Sequence, residues 1–216
     1  MLRYGYGTAA AGPFPSSFAF GDDTVIAPGY DPEKARELLE EAGWTDTDGN
    51  GYVDKNGKDL TLRWLTYPSR QELPLLAESV QSTLGDIGIK VEVNSTANHL
   101  DVLQRGDWDI YASAFVCAPT GDPEYFFTTH CLDSSTHNRG GYHSDRLEEL
   151  EAQMSTTFDA EERDSLAVEM TQTILDDNAF IFASHLRMSI VSGEGVTGLE
   201  AHPCDYYEIT VDLDKN

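Results

Sequence analysis

The chain has 216 residues, 40% of them hydrophobic, and no low-complexity tract, enough to bury a real core in one large domain or two small ones. Its 38 acidic residues against 14 basic ones leave a net charge of −24, a field that repels phosphate backbones and argues against nucleic acid as a partner. No apolar run approaches the roughly 20 residues of a membrane span, and three cysteines are an odd count, too few for a disulfide framework.

No signal peptide opens the chain. The Gly/Pro/Ser-rich stretch "GYGTAAAGPFPSSF" has neither helical nor strand period and reads as an internal connection, so residues 1–30 are expected to be an irregular opening segment of a longer parent. The first strong element is "YDPEKARELLEEAGW". Asp31 suits the N-cap, Pro32 the first helical position and Glu33 the positive end of the dipole. Ala35, Leu38, Leu39 and Ala42 share one face, and Gly43 fits a left-handed C′ site that folds Trp44 back over Leu39.

Beyond an acidic loop, "LTLRWLTY" (60–67) alternates as a strand, and Leu76, Val80 and Leu84 mark a helix over 71–84 that Gly85 and Gly88 end. "IKVEV" (89–93) is a second strand, 99–104 a short helix and "WDIYASAFV" (108–116) a third, more apolar strand. Strand alternating with helix implies right-handed crossovers and a largely parallel sheet. Residues 117–143 lack periodicity and are long for a connection, which favours function over linkage. Helices follow over 145–157 and from an Asp159 N-cap, with Glu162 completing a capping box, to Asp176. "AFIFASH" and "LRMSIVSG" read as a strand pair and "YEITVDL" (207–213) as a last strand.

The acidic loop "DTDGNGYVDKNG" (46–57) places oxygen donors as a calcium loop does: Asp46, Asp48, Asn50, the Tyr52 carbonyl and Asp54. Gly57 stands where a bidentate Glu closes an EF-hand, although Asp59 could bend in. Two readings stand: a tight turn that needs Gly49, Gly51 and Gly57 for positive φ, or a calcium-braced turn away from any cleft. No cofactor is required, and calcium is possible.

Segment 117–143 holds His130, His137 and His143 with Cys117 and Cys131, side chains that suit nickel, copper or zinc. Adjacent "HC" side chains diverge, however, and no i,i+3 or i,i+4 ligand pair appears. The two cysteines read either as a disulfide pinning the loop or as small buried hydrophobes. Enzyme signatures are missing: His143, Ser144 and Asp145 are neighbours that cannot form a triad with one another, and there is no GxSxG, HExxH or phosphate loop. Asp122 and Glu124 alone do not make an acid/base site, so no catalysis is expected.

The blocks "YDPEKARELLEEAGWTDTDGNGYVDKNGKDLTLRWLTY", "AESVQSTLGDIGIKVEV" and "GDWDIYASAF…GDPEYFF", followed by "ERDSLAVEMTQTILDDNAFIF", resemble in that order the C-terminal lobe of extracellular solute-binding proteins of family 5. The resemblance runs over residues 12–213. It implies an α/β fold, one lobe of a type II-like periplasmic binding protein with a mixed, mostly parallel sheet flanked by helices, and residues 1–216 forming that single lobe. It further implies a non-enzymatic, exported and commonly lipid-anchored component of an ABC importer, with a permease and an N-terminal lobe as partners. The cargo is a short peptide or a nickel or other metal chelate. The competing reading is a calcium-braced extracellular interaction or sensor module.

By position in that family, solute contacts fall to Phe115, Cys117, Pro119, Thr120, Gly121, Asp122, Tyr125, Phe126, His130 and His137. Peptide binders of the family carry an Asp shortly before "DP" that grips the peptide amine; Ala118-Pro119-Thr120 fills that stretch here. "APTGDP" is closer to nickel-type members, in which His130 or His137 would serve as the chelate's histidine, but the Trp expected before the loop is replaced by Phe115 and Val116.

Overall fold

The structure is a computed structural model; it describes residues 7–187, 189–200 and 209–215. In chain order these form β1 (Gly7–Ala9), α1 (Pro32–Glu41), β2 (Asp54–Lys55), β3 (Lys58–Asp59), β4 (Thr61–Thr66), α2 (Glu72–Gly85), β5 (Lys90–Ser95), α3 (His99–Arg105) and β6 (Ile110–Tyr111). After these come α4 (Glu124–His130), α5 (Asp145–Met154), α6 (Ala160–Asp176), β7 (Ser184–Leu186), β8 (Val196–Thr197) and β9 (Asp214–Lys215). The chain packs as two compact units. Gly29–Phe115 belongs to the first; the described residues up to Pro28 and from Val116 onward form the second.

The first unit is built on three parallel strands in the order β5-β4-β6. Helix α2 carries the chain from β4 to β5 and α3 from β5 to β6, as the alternation of strand and helix requires. Trp64, Ala77 and Val91 form its buried centre, with Leu76, Val80, Leu84 and Ile110 against them. Helix α1 ends as its sequence predicts. Asp31 accepts from the Lys34 N–H at 2.9 Å, Gly43 has φ 82°, and the N–H groups of Gly43 and Trp44 return to the carbonyls of Glu40 and Leu39. Its expected apolar face is not buried, however, and Leu38 remains 52% exposed.

The third strand is shorter than its apolar run. Trp64 pairs with Ile110 and Leu65 with Tyr111, so β4 runs out at Thr66 before the rest of 108–116 can join it. The next residues are Tyr67 and Pro68, and Pro cannot donate to a ladder. The Tyr67 hydroxyl instead accepts the Ala114 N–H at 3.2 Å.

The second unit has a helical core. Leu147, Leu150 and Met154 of α5 and Ala167, Met170 and Ile174 of α6 present buried faces, and Ser144 and Asp159 cap the two helices through the N–H groups of Leu147 and Glu162. The irregular opening segment is part of this core: Phe14 and Phe20 are buried and meet edge to face at 4.8 Å. Residues 117–143 are not wholly aperiodic, since α4 lies inside them with Phe126, Phe127 and His130 buried.

"AFIFASH" and "LRMSIVSG" do not pair with each other. Of the first run's end and the second's start only Ser184–Leu186 is a strand, antiparallel to β1, and Met188 lies outside the described residues. The two runs adjoin with no turn residues between them, so they cannot fold back as a hairpin. In "YEITVDL", Tyr207 and Glu208 lie outside the described residues and 209–213 form no strand; Ile209 is 86% exposed, and the pairing falls instead on β8 and β9.

Candidate solute-binding site

At the carboxyl edge of the first unit's sheet, three elements deliver aromatic rings to one place. Tyr67 follows β4, His99 opens α3 just after β5, and Tyr111 ends β6. His99 stacks on Tyr67 with centroids 4.4 Å apart and lies near-parallel to Tyr111 at 6.1 Å; Trp108 meets Tyr111 edge-on at 6.2 Å. The Tyr67 hydroxyl is 3.3 Å from Ser113 Oγ, which fixes the outer end of the rack. Because β4 lies between β5 and β6, its carboxyl end is the point where the connections diverge to opposite sides, the place where open α/β sheets hold ligands. Sequence reading named Phe115, exposed at the end of this unit, but none of the rack. The available signal was positional: Tyr67 stands directly beyond the carboxyl end of β4, and His99 opens the helix that follows β5.

The second unit carries the other expected contacts, and they divide by exposure. Thr120, Tyr125 and His137 are exposed, whereas Cys117 and Asp122 are half-buried and Pro119 is buried. Phe126 is a correction: it is wholly enclosed, with Phe14, Phe127, Phe180 and Phe182 rings 5.6–6.0 Å away, so it packs the core and has no face for a solute. His130 is buried beside Phe126, and its ring meets that of His137 at 6.4 Å. Burial, and then the neighbouring His137, push the His130 pKa down to about 4. Cys117 and Cys131 are not bridged to each other; both pack in the same core, and burial raises both, Cys117 to about 12. Protonated, enclosed thiols are poor metal ligands, and they fit the small-hydrophobe reading.

Every carboxylate between Cys117 and His137 is engaged by a basic side chain of the protein. Arg163 Nη2 lies 2.8 Å from both oxygens of Asp122 and 2.7 Å from Glu124, while its Nη1 donates to the Met154 and Thr157 carbonyls. Asp133 is bound by His143 Nδ1 at 2.8 Å.

In the acidic loop, carboxylate oxygens of Asp46, Asp48 and Asp54 lie within 4.8 Å of one another. Their hard oxygens suit calcium chemically. The loop also closes on itself: Asp46 accepts from Gly49 and Gly51, Asp48 from the Asn50 N–H, Asn50 Oδ1 from Tyr52, and Asp54 from the Thr47 N–H and hydroxyl. Asp59 stands opposite Asp54 across the β2–β3 hairpin and reaches the Asn50 amide at 3.3 Å. The Thr47 N–H, then its hydroxyl, hold the Asp54 pKa below 3.8.

Two separate acid losses follow. Folded His130 resists the proton that the unfolded chain accepts, so stability is complete above pH 6.5 and declines towards pH 4. Asp54 contributes above pH 3.8, and that contribution disappears as pH falls through its lowered folded value. Urea titrations across pH should show both windows, with His130→Phe removing only the upper loss and Asp54→Asn reducing only the lower.

Likeness to solved structures makes this mixed α/β fold, with its parallel sheet and helices, that of a type II periplasmic binding protein. Residues 2–138 match the family described as bacterial extracellular solute-binding proteins, family 5 Middle, and the chain belongs to that family. It is 26% identical over 167 residues to the nickel-binding protein NikA of Staphylococcus aureus, covering 77% of this chain and 32% of NikA. It is 25% identical to the oligopeptide-binding protein AppA of Bacillus subtilis, over 83% of this chain and 34% of AppA. The crystal structure of a nickel ABC transporter protein from Bacillus halodurans superposes with a TM-score of 0.73 at 26% identity, covering 95% of this chain and 43% of that one. The chain therefore spans about a third of the length of these two curated relatives. Among the described residues, no helix is long and apolar enough to cross a membrane.

Proposed function

We propose that the chain is part of the substrate-binding component of an ABC importer, which captures a small solute outside the cell membrane and passes it to a permease. The observation that carries this reading is the aromatic rack at the carboxyl edge of three parallel strands, in a chain of this family. Relatives named for nickel and for oligopeptides supply the two cargo classes. The remainder of the protein provides the opposing wall, and export with a lipid anchor completes the expected setting.

Between the two cargoes, the structure's electrostatics favour a metal chelate. A peptide brings a charged amine that needs a carboxylate, and Asp122, Glu124 and Asp133 are all held by Arg163 or His143. The reading calls for no cofactor; calcium at residues 46–57 would brace a turn that its own hydrogen bonds already close.

Titration calorimetry of the complete protein with nickel plus L-histidine, and separately with trialanine, tests the choice. The chelate is expected to bind at least tenfold more tightly. Tighter trialanine binding would reverse the cargo assignment, and no heat with either probe would remove the solute-binding reading.

A further inference from the structure

The His99 ring is fixed by its neighbours, and its two nitrogens have different surroundings. Tyr67 stacks on it at 4.4 Å with an interplanar angle of 27°, and Tyr111 lies at 6.1 Å and 15°. Nδ1 is enclosed by protein and has no hydrogen-bond partner; Nε2 is not enclosed and makes no hydrogen bond among the described residues.

A neutral imidazole carries one N–H and one lone pair. An enclosed N–H without an acceptor is rarer in folded proteins, and costlier, than an enclosed lone pair without a donor. The surroundings of His99 therefore select the tautomer with hydrogen on Nε2. We infer that His99 presents this N–H outward from the stacked rack as a donor to an acceptor oxygen of the solute, a carboxylate or an amide carbonyl. This inference rests on the solute-binding reading above and adds the chemistry by which one residue discriminates.

The same geometry argues against His99 as a metal ligand. Coordination through Nε2 would move the hydrogen to Nδ1, where it would be enclosed without an acceptor. His99 would thus read the organic part of a chelate, its amino-acid carboxylate, and would read a peptide's carbonyl or carboxylate in the same way.

The test uses the complete protein labelled with nitrogen-15 at histidine, with His99→Phe to assign the ring. Long-range proton–nitrogen correlation spectra are expected to show His99 protonated at Nε2 and bare at Nδ1; the opposite pattern would overturn the inference by itself. Binding of trialanine and of nickel plus L-histidine is then measured for two variants. His99→Phe keeps a ring in the stack but lacks the donor, and should bind whichever probe the parent binds about tenfold more weakly. His99→Gln restores an N–H donor and should recover part of that loss. Parent-like affinity in His99→Phe would overturn the donor role. Failure of both probes to bind the parent would remove the solute-binding reading, and this inference with it, whereas a wrong tautomer removes this inference alone.

Discussion

Phe126→Ala is expected to destabilise the protein by about 3–5 kcal/mol, the range for removing a large aromatic side chain from a core. The ring is wholly buried and has Phe14, Phe127, His130, Phe180 and Phe182 around it, so its removal leaves a cavity bordered by rings from three segments of chain. At roughly 2–4 °C per kcal/mol for a chain of this size, the melting temperature should fall by about 10 °C or more. Its neighbour Tyr125 is 42% exposed, and Tyr125→Ala should leave melting nearly unchanged while weakening cargo binding. Thermal melts of both variants, beside calorimetry, separate the core residue from the surface one. Equal melting temperatures would mean that the α4 face is assigned wrongly.

Arg163→Met carries the other large effect. The guanidinium side chain is only 15% exposed and joins Asp122 and Glu124 at the start of α4 to the Met154 and Thr157 carbonyls at the end of α5. Removing it takes the counter-ion from two carboxylates and a donor from two carbonyls. Breaking a buried ion pair costs about 3–5 kcal/mol, and the partial exposure of both carboxylates places this case at or below the lower end. Adding Asp122→Asn and Glu124→Gln to Arg163→Met should recover part of the loss, because no uncompensated charge then remains. If the triple variant melts lower than Arg163→Met alone, charge repulsion is not the cause.

What could be read from the sequence was local. Asp31, Pro32 and Gly43 define the ends of α1 through rules that act within a few residues, and each is observed in its expected role. The parallel sheet followed from strand alternating with helix, which is also a rule about neighbours. Length of pairing was not local: β6 is cut to Ile110–Tyr111 by where β4 ends, forty-odd residues earlier. Burial was not local either. Phe126 sits in a loop-like stretch of sequence, yet Phe14 and Phe182 come from far along the chain to cover it.

The candidate site shows the same division. Thr120, Tyr125 and His137 are exposed, whereas Asp122 is committed to Arg163, a partner 41 residues away that no motif announces. The rack of Tyr67, His99 and Tyr111 was not read because each residue belongs to a different element, and only the sheet's register brings them together.

Native mass spectrometry of the complete protein, purified without denaturation, tests the central claim of solute capture most directly. The parent should carry a bound small molecule as a discrete mass increment, and the Tyr67→Ala, Tyr111→Ala double variant should lose that increment while remaining folded. An increment that persists undiminished in the folded double variant would contradict the account.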